Sequence, residues 1–127
     1  MVVLEHVGIC AKDTISLKEW YTKLFGFKTV YDNGKEKPTF FLLMDNQCML
    51  EIYPMEKAAA EENNKCQGIR HLAFGTDDIE KEYDRLLANH VQIVEGLKTG
   101  SNGVKTFFFR DMEGNMVHFI QREKRLY

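Results

Sequence analysis

An approximate internal repeat limits what this chain can fold into more than any other feature. Residues 39–53 read TFFLLMDNQCMLEIY and residues 106–120 read TFFFRDMEGNMVHFI. At one constant offset Thr39 falls on Thr106, Phe40 on Phe107, Phe41 on Phe108 and Met49 on Met116, and Glu51 then falls on His118. Upstream, EHVGIC at 5–10 aligns with RHLAFG at 70–75, which superposes His6 on His71. Tyr21, Leu24 and Phe25 fall on Tyr83, Leu86 and Leu87, and the slight change of offset between segments is what unequal loops produce. A chain of 127 residues organised this way suits one α+β domain of two similar modules, with a real core but little stability to spare.

Each module reads β-α-β-β-β, over about 2–53 and 69–121, with a connector at 54–68. Residues 2–10 have strand character, with Val3, Val7 and Ile9 on one face and Leu4, His6, Gly8 and Cys10 on the other. A helix is predicted at about 14–25, capped by Asp13 or Thr14, striped by Leu17, Tyr21, Leu24 and Phe25, and stopped by Gly26. Asn33-Gly34 reads as a tight hairpin turn after a strand ending near Tyr31, and strands near 39–44 and 47–53 complete the module. The connector is expected to hold a short helical turn or two.

The second module starts with a strand at about 69–75. Its helix at about 78–89 has Asp77 and Glu80 spaced for a capping box, and Ile79, Tyr83, Leu86 and Leu87 are expected inside. Strands near 92–96, 104–110 and 115–121 follow. Neither module can bury its sheet without its helix and another module, so the expected product is two curved mixed sheets around a cleft.

Charge removes several function classes. The formal net charge of -2, from 17 basic and 19 acidic side chains, gives no general reason to bind nucleic acid. Arg122, Lys124 and Arg125, interrupted by Glu123, read as a solvated terminus. No stretch approaches the 18 apolar residues of a membrane span, and the start MVVLEHVGIC lacks the pattern of a secretory leader. Cys10, Cys48 and Cys66 are three, irregularly spaced, and outside any C-x-x-C pattern, which fits free thiols in a reducing compartment. The expected location is therefore the cytoplasm.

Strand alternation makes the repeat chemically informative. His6 shares a face with Gly8 and Cys10, and His71 with Ala73 and Gly75, so small residues leave room beside both histidines. Glu51 lies between Met49 and Tyr53 on its face, and His118 between Met116 and Ile120. A lone histidine in an apolar strand is ordinarily a hydrogen-bonded core group. Three at matched positions, with a matched glutamate, instead suggest a divalent-metal site of His6, Glu51, His71 and His118. An unpaired buried charge is costly to desolvate, and an ion would offset that cost. Three imidazoles and one carboxylate suit zinc, nickel, iron, cobalt or manganese rather than calcium. His90, unmatched, reads as a helix C-terminal cap. Tyr53, Met49 and Met116 are pocket walls or ordinary packing, and Cys10 faces the same side.

These segments together resemble the glyoxalase, bleomycin-resistance and extradiol-dioxygenase superfamily, the vicinal oxygen chelate proteins. EHVGICAKD with EWYTKLFGF, QCMLEIY, RHLAFGTDDIEKEYDRL and FFFRDMEGNMVHFI carry the likeness, over residues 3–121. The resemblance implies paired βαβββ modules, a metal at their junction in enzymatic members, and frequent homodimers. It places the first-module ligands at His6 and Glu51 and the second-module histidine at His71. The last ligand is commonly glutamate, where this chain has His118. The implied activity is that of a glyoxalase I-like lyase or isomerase on a small thiohemiacetal or vicinal-oxygen substrate, with a low-molecular-weight thiol as cosubstrate. Glu51 is the implied base, and His118 either binds metal or shuttles a proton. A thiol transferase, epimerase or dioxygenase of the same fold, and a metal-free drug-binding protein, are the alternatives.

Overall fold

The computed structural model describes residues 1–45, 47–60 and 63–126. The chain forms two compact units, Met1–Ala60 and Glu61–Tyr127, and each is a βαβββ module with one four-stranded mixed sheet.

The first unit runs β1 (His6–Ala11), α1 (Thr14–Phe25), β2 (Lys28–Asp32), β3 (Phe40–Leu43) and β4 (Met49–Pro54), in sheet order β1-β4-β3-β2. β1 pairs parallel with β4, and the other pairs are antiparallel. α1 has the predicted ends. The Asp13 carboxylate accepts the Ser16 N–H, and Gly26 adopts φ 71° while donating its N–H to the Thr22 carbonyl. That left-handed stop suits glycine because a Cβ would crowd the backbone. Leu17, Tyr21 and Leu24 are buried, as are Phe40 and Leu42 of β3 and Leu50 and Ile52 of β4. Each such aliphatic side chain contributes about 1.5–3 kcal/mol by leaving water. The alternate residues of β4, Met49, Glu51 and Tyr53, occupy the opposite face.

The second unit runs β5 (Leu72–Gly75), α2 (Ile79–Ala88), β6 (Ile93–Thr99), β7 (Lys105–Arg110) and β8 (Met116–Gln121), in sheet order β5-β8-β7-β6. Its core is Ile79 and Leu86 of α2 with Phe107, Phe109, Val117 and Phe119. The Tyr83 ring meets Phe107 edge-on at 4.9 Å. The repeat is reproduced in register, since Gly8 pairs with Glu51 in β1/β4 and Ala73 pairs with His118 in β5/β8.

Several expectations need correction. β1 starts at His6, not at residue 2, because β4 offers its first paired residue, Met49, only opposite His6. Val2, at 99% exposure, and Val3 and Leu4 therefore stay in solvent despite their strand-like pattern. β5 likewise starts at Leu72, after His71, and leaves Ile69 exposed. Asn33-Gly34 is not a two-residue hairpin. Only Gly34 takes a positive φ, while the Asn33 side chain accepts the N–H groups of Lys35 and Thr39 and organises a longer loop before β3.

The cap of α2 is Asp78, whose carboxylate accepts the Lys81 N–H at 3.2 Å, rather than Asp77. Leu87 is 45% exposed, because Leu86 takes the inward position in line with Ile79 and Tyr83. Asn89, not His90, closes α2, with its side-chain amide donating to the Arg85 carbonyl at 2.8 Å. The described part of the connector contains no helix. Among the described residues no helix is long and apolar enough to cross a membrane.

Candidate metal centre

In the first unit His6 and Glu51 meet on the face turned away from α1. The parallel register puts Gly8 beside Glu51 and His6 one step earlier, beside Met49. The His6 Nε2 atom lies 3.8 Å from Glu51 Oε1, and its Nδ1 lies 2.7 Å from Glu5 Oε1. A carboxylate beside Nδ1 accepts the N–H of the tautomer that would leave Nε2, on the Glu51 side, free to ligate. This is how metal-ligating imidazoles are usually oriented. A Cβ added at Gly8 would sit 3.2 Å from Tyr53 Cε1 and 3.7 Å from Glu51 Oε1. The glycine therefore lets the Tyr53 ring and the Glu51 carboxylate lie close over β1.

The second unit repeats the arrangement with two imidazoles. The His71 and His118 rings stand edge to face with centroids 4.8 Å apart. His71 Nδ1 lies 3.4 Å from Asn64 Oδ1, an acceptor that plays the part of Glu5. His118 is 6% exposed and lies flat on Phe108 at 4.2 Å, and its buried Nδ1 has no hydrogen-bond partner among the described residues. Burial first, and then repulsion from His71, pushes the His118 pKa down to about 4 against a weaker opposing pull from the Phe119 backbone. The ring is therefore neutral at physiological pH, with a lone pair available.

Glu5, Asn64 and the aromatic floor escaped the sequence reading. Phe41 meets His6 at 5.5 Å and Phe108 meets His71 at 5.6 Å, both edge to face. The repeat already paired these two phenylalanines, and a carboxylate directly before His6 was the available signal for Glu5. Nothing in the sequence marks Asn64.

The donors fit a borderline divalent cation. Two histidines have acceptors at Nδ1, a third is held neutral with an orphaned nitrogen, and a carboxylate supplies negative charge. The structure brings His6 to Glu51 and His71 to His118. Among the described residues it gathers no group of three or more His, Cys, Asp or Glu side chains that could hold a metal ion.

Comparison with known proteins agrees on the fold. The Glyoxalase/Bleomycin resistance protein/Dioxygenase superfamily matches residues 3–119. The YurT protein of Bacillus subtilis strain 168, described as uncharacterized, is 32% identical over 123 residues, covering 91% of this chain and 95% of the relative. A glyoxalase family protein from Enterococcus faecalis superposes with a TM-score of 0.78 at 25% identity, covering 93% of this chain and 96% of that one. A lactoylglutathione lyase from Agrobacterium tumefaciens superposes with a TM-score of 0.73 at 21% identity, covering 95% and 94%.

Proposed function

Because the chain belongs to the Glyoxalase/Bleomycin resistance protein/Dioxygenase superfamily, we propose that it is a divalent-metal-dependent lyase or isomerase of the glyoxalase I kind. Its substrate is a small thiohemiacetal or other vicinal-oxygen compound, with a low-molecular-weight thiol as cosubstrate and a homodimer as the working form. His6, Glu51, His71 and His118 are the residues assigned to the ion. The observation that carries this reading is the buried imidazole of His118 beside His71, its Nδ1 without a hydrogen-bond partner among the described residues, matched in the other module by His6 beside Glu51.

A bound divalent ion would supply positive charge to the vicinal oxygens, where negative charge builds as the carbon acid loses its proton. The remaining work falls to the protein. The Glu51 carboxylate takes the proton from the carbon bearing sulfur and hydroxyl, then returns it to the neighbouring carbonyl carbon, while the hydroxyl proton passes to the carbonyl oxygen. The first carbon is thereby oxidised to a thioester and the second reduced to an alcohol, with no outside oxidant. His118 stays neutral at physiological pH and adds no positive charge. Phe41 and Phe108 pack edge to face against His6 and His71 and support those rings from one side.

Metal analysis of freshly purified protein tests the reading, with His71→Ala and His118→Ala measured alongside. Stoichiometric metal that both variants lose is expected, and unchanged metal in both ends the proposal. Turnover of methylglyoxal with cellular thiols then tests the activity, with Glu51→Gln expected to lower it at least 100-fold. A metal-free protein that instead binds an aromatic cationic drug tightly would move the function to sequestration.

A further inference from the structure

The second unit carries a surface hollow of about 620 Å3 lined by Gly75, Thr76, Asp77, Ile120, Arg122 and Arg125. That volume is in the range of small-molecule sites. Arg122 and Arg125, read from the sequence as solvated, both turn to this hollow, whereas Lys124 between them does not line it. Among the described residues neither guanidinium has an ion-pair partner. Asp77 sets one carboxylate against the two arginines, so the lining keeps one net positive charge.

The floor of the hollow belongs to the face that carries the histidines. Along β5/β8, Ala73 pairs with His118 and Gly75 pairs with Ile120, the next position on the same face. Two residues along a strand advance about 6.6 Å, so the hollow opens one side-chain step from His118. Gly75 leaves open space there, since a Cβ at that position would meet nothing within 4 Å. At the N-terminus of α2, Asp78 accepts the Lys81 N–H and the Gln121 side chain accepts the Ile79 N–H. The exposed Arg122 and Arg125 guanidiniums are the cationic donors of the lining. The repeat offers no equivalent in the first unit, where Tyr53 and Met55 stand at the positions of Ile120 and Arg122.

We propose that the hollow is an oxyanion subsite, in which Arg122 and Arg125 bind the carboxylate or phosphate group of a small ligand. Planar guanidinium forks match either group with paired, charge-assisted hydrogen bonds. Asp77 accepts only, so it favours ligands with an ammonium or hydroxyl next to the anion. The subsite belongs to the substrate of the proposed enzyme, and that assignment alone rests on the proposed function; anion binding itself does not need a metal.

The test is an NMR titration of the 15N-labelled full chain, freed of metal and dialysed, with sodium malonate and separately with inorganic phosphate at constant ionic strength. Saturable shifts of the Gly75, Thr76 and Asp77 amides are expected, and the probe that saturates identifies the group as carboxylate or phosphate. Arg122→Gln and Arg125→Gln should each weaken binding about tenfold or more. Asp77→Asn should tighten it, and Lys124→Gln should leave it within twofold. Shifts that never saturate with either anion, or equal weakening by Lys124→Gln, overturn the subsite. His71→Ala separates it from the metal site, because retained anion binding there supports the hollow whatever becomes of the metal. Anion binding lost in that variant but kept in Arg122→Gln would place the anion on the histidines and overturn the proposal.

Discussion

Metal-free protein should lose stability on mild acidification, and most of the specific loss should trace to one imidazole. His118 titrates near 4 in the folded chain, against an ordinary value of 6.5. A lowered folded pKa means that the unfolded chain binds the proton first. Its contribution is therefore complete above about pH 6.5 and disappears as the pH falls toward 4. The gap corresponds to about 3 kcal/mol when fully expressed, and to about 2 kcal/mol by pH 5, where the unfolded imidazole is mostly protonated and the folded one is not. The assay is urea unfolding of metal-free protein at pH 7.5 and pH 5, followed by far-ultraviolet circular dichroism. Trp20, the single tryptophan, lies in α1 and reports the first unit separately by fluorescence. His118→Gln replaces the ring with a neutral polar group that does not titrate. Its stability should fall with pH by about 2 kcal/mol less than that of the parent chain. Parallel losses in the two chains would refute the reasoning, because burial would then not be holding His118 neutral.

Other substitutions probe the packing beneath the site. Phe107→Ala removes a fully buried ring packed against Tyr83 and Phe119 and should cost about 3–5 kcal/mol in urea unfolding, whereas exposed Met112→Ala should stay within about 0.5 kcal/mol. A loss under about 1 kcal/mol at Phe107 would show that β7 is not the core strand described. Gly26→Ala, at φ 71°, should destabilise the first unit by about 1 kcal/mol through left-handed strain, read from Trp20 fluorescence; a neutral result would mean that α1 ends differently. Gly8→Val should drive Tyr53 and Glu51 apart and weaken divalent-metal binding about tenfold or more in calorimetric titration, while Gly75→Ala leaves it unchanged. Equal affinities in these two variants would separate Glu51 from the site.

The repeat and the alternation along each strand were legible because they are local. Phe40, Leu42, Leu50 and Ile52 alternate toward α1, and Glu51 falls on the other face by parity alone. Asp13 and Gly26 were legible for the same reason, since a cap acts within one helical turn. The starts of β1 and β5 were not, because a strand extends only as far as its partner, and β4 and β8 lie far along the chain. Choosing Asp78 over Asp77 required the helix start, which the Gln121 side chain helps to set by accepting the Ile79 N–H across the unit.

Residue identity and spacing were thus enough to determine two βαβββ modules, the face of each key side chain, and the correspondence of His6 with His71 and of Glu51 with His118. Tertiary structure alone decided that Glu5 and Asn64 orient two of the histidines, that His118 is buried against Phe108, and that Arg122 and Arg125 turn to a common hollow. Periodicity sorts side chains onto faces through backbone geometry. Burial and side-chain partners depend on which distant segments close over each face, and that is decided only when the chain packs.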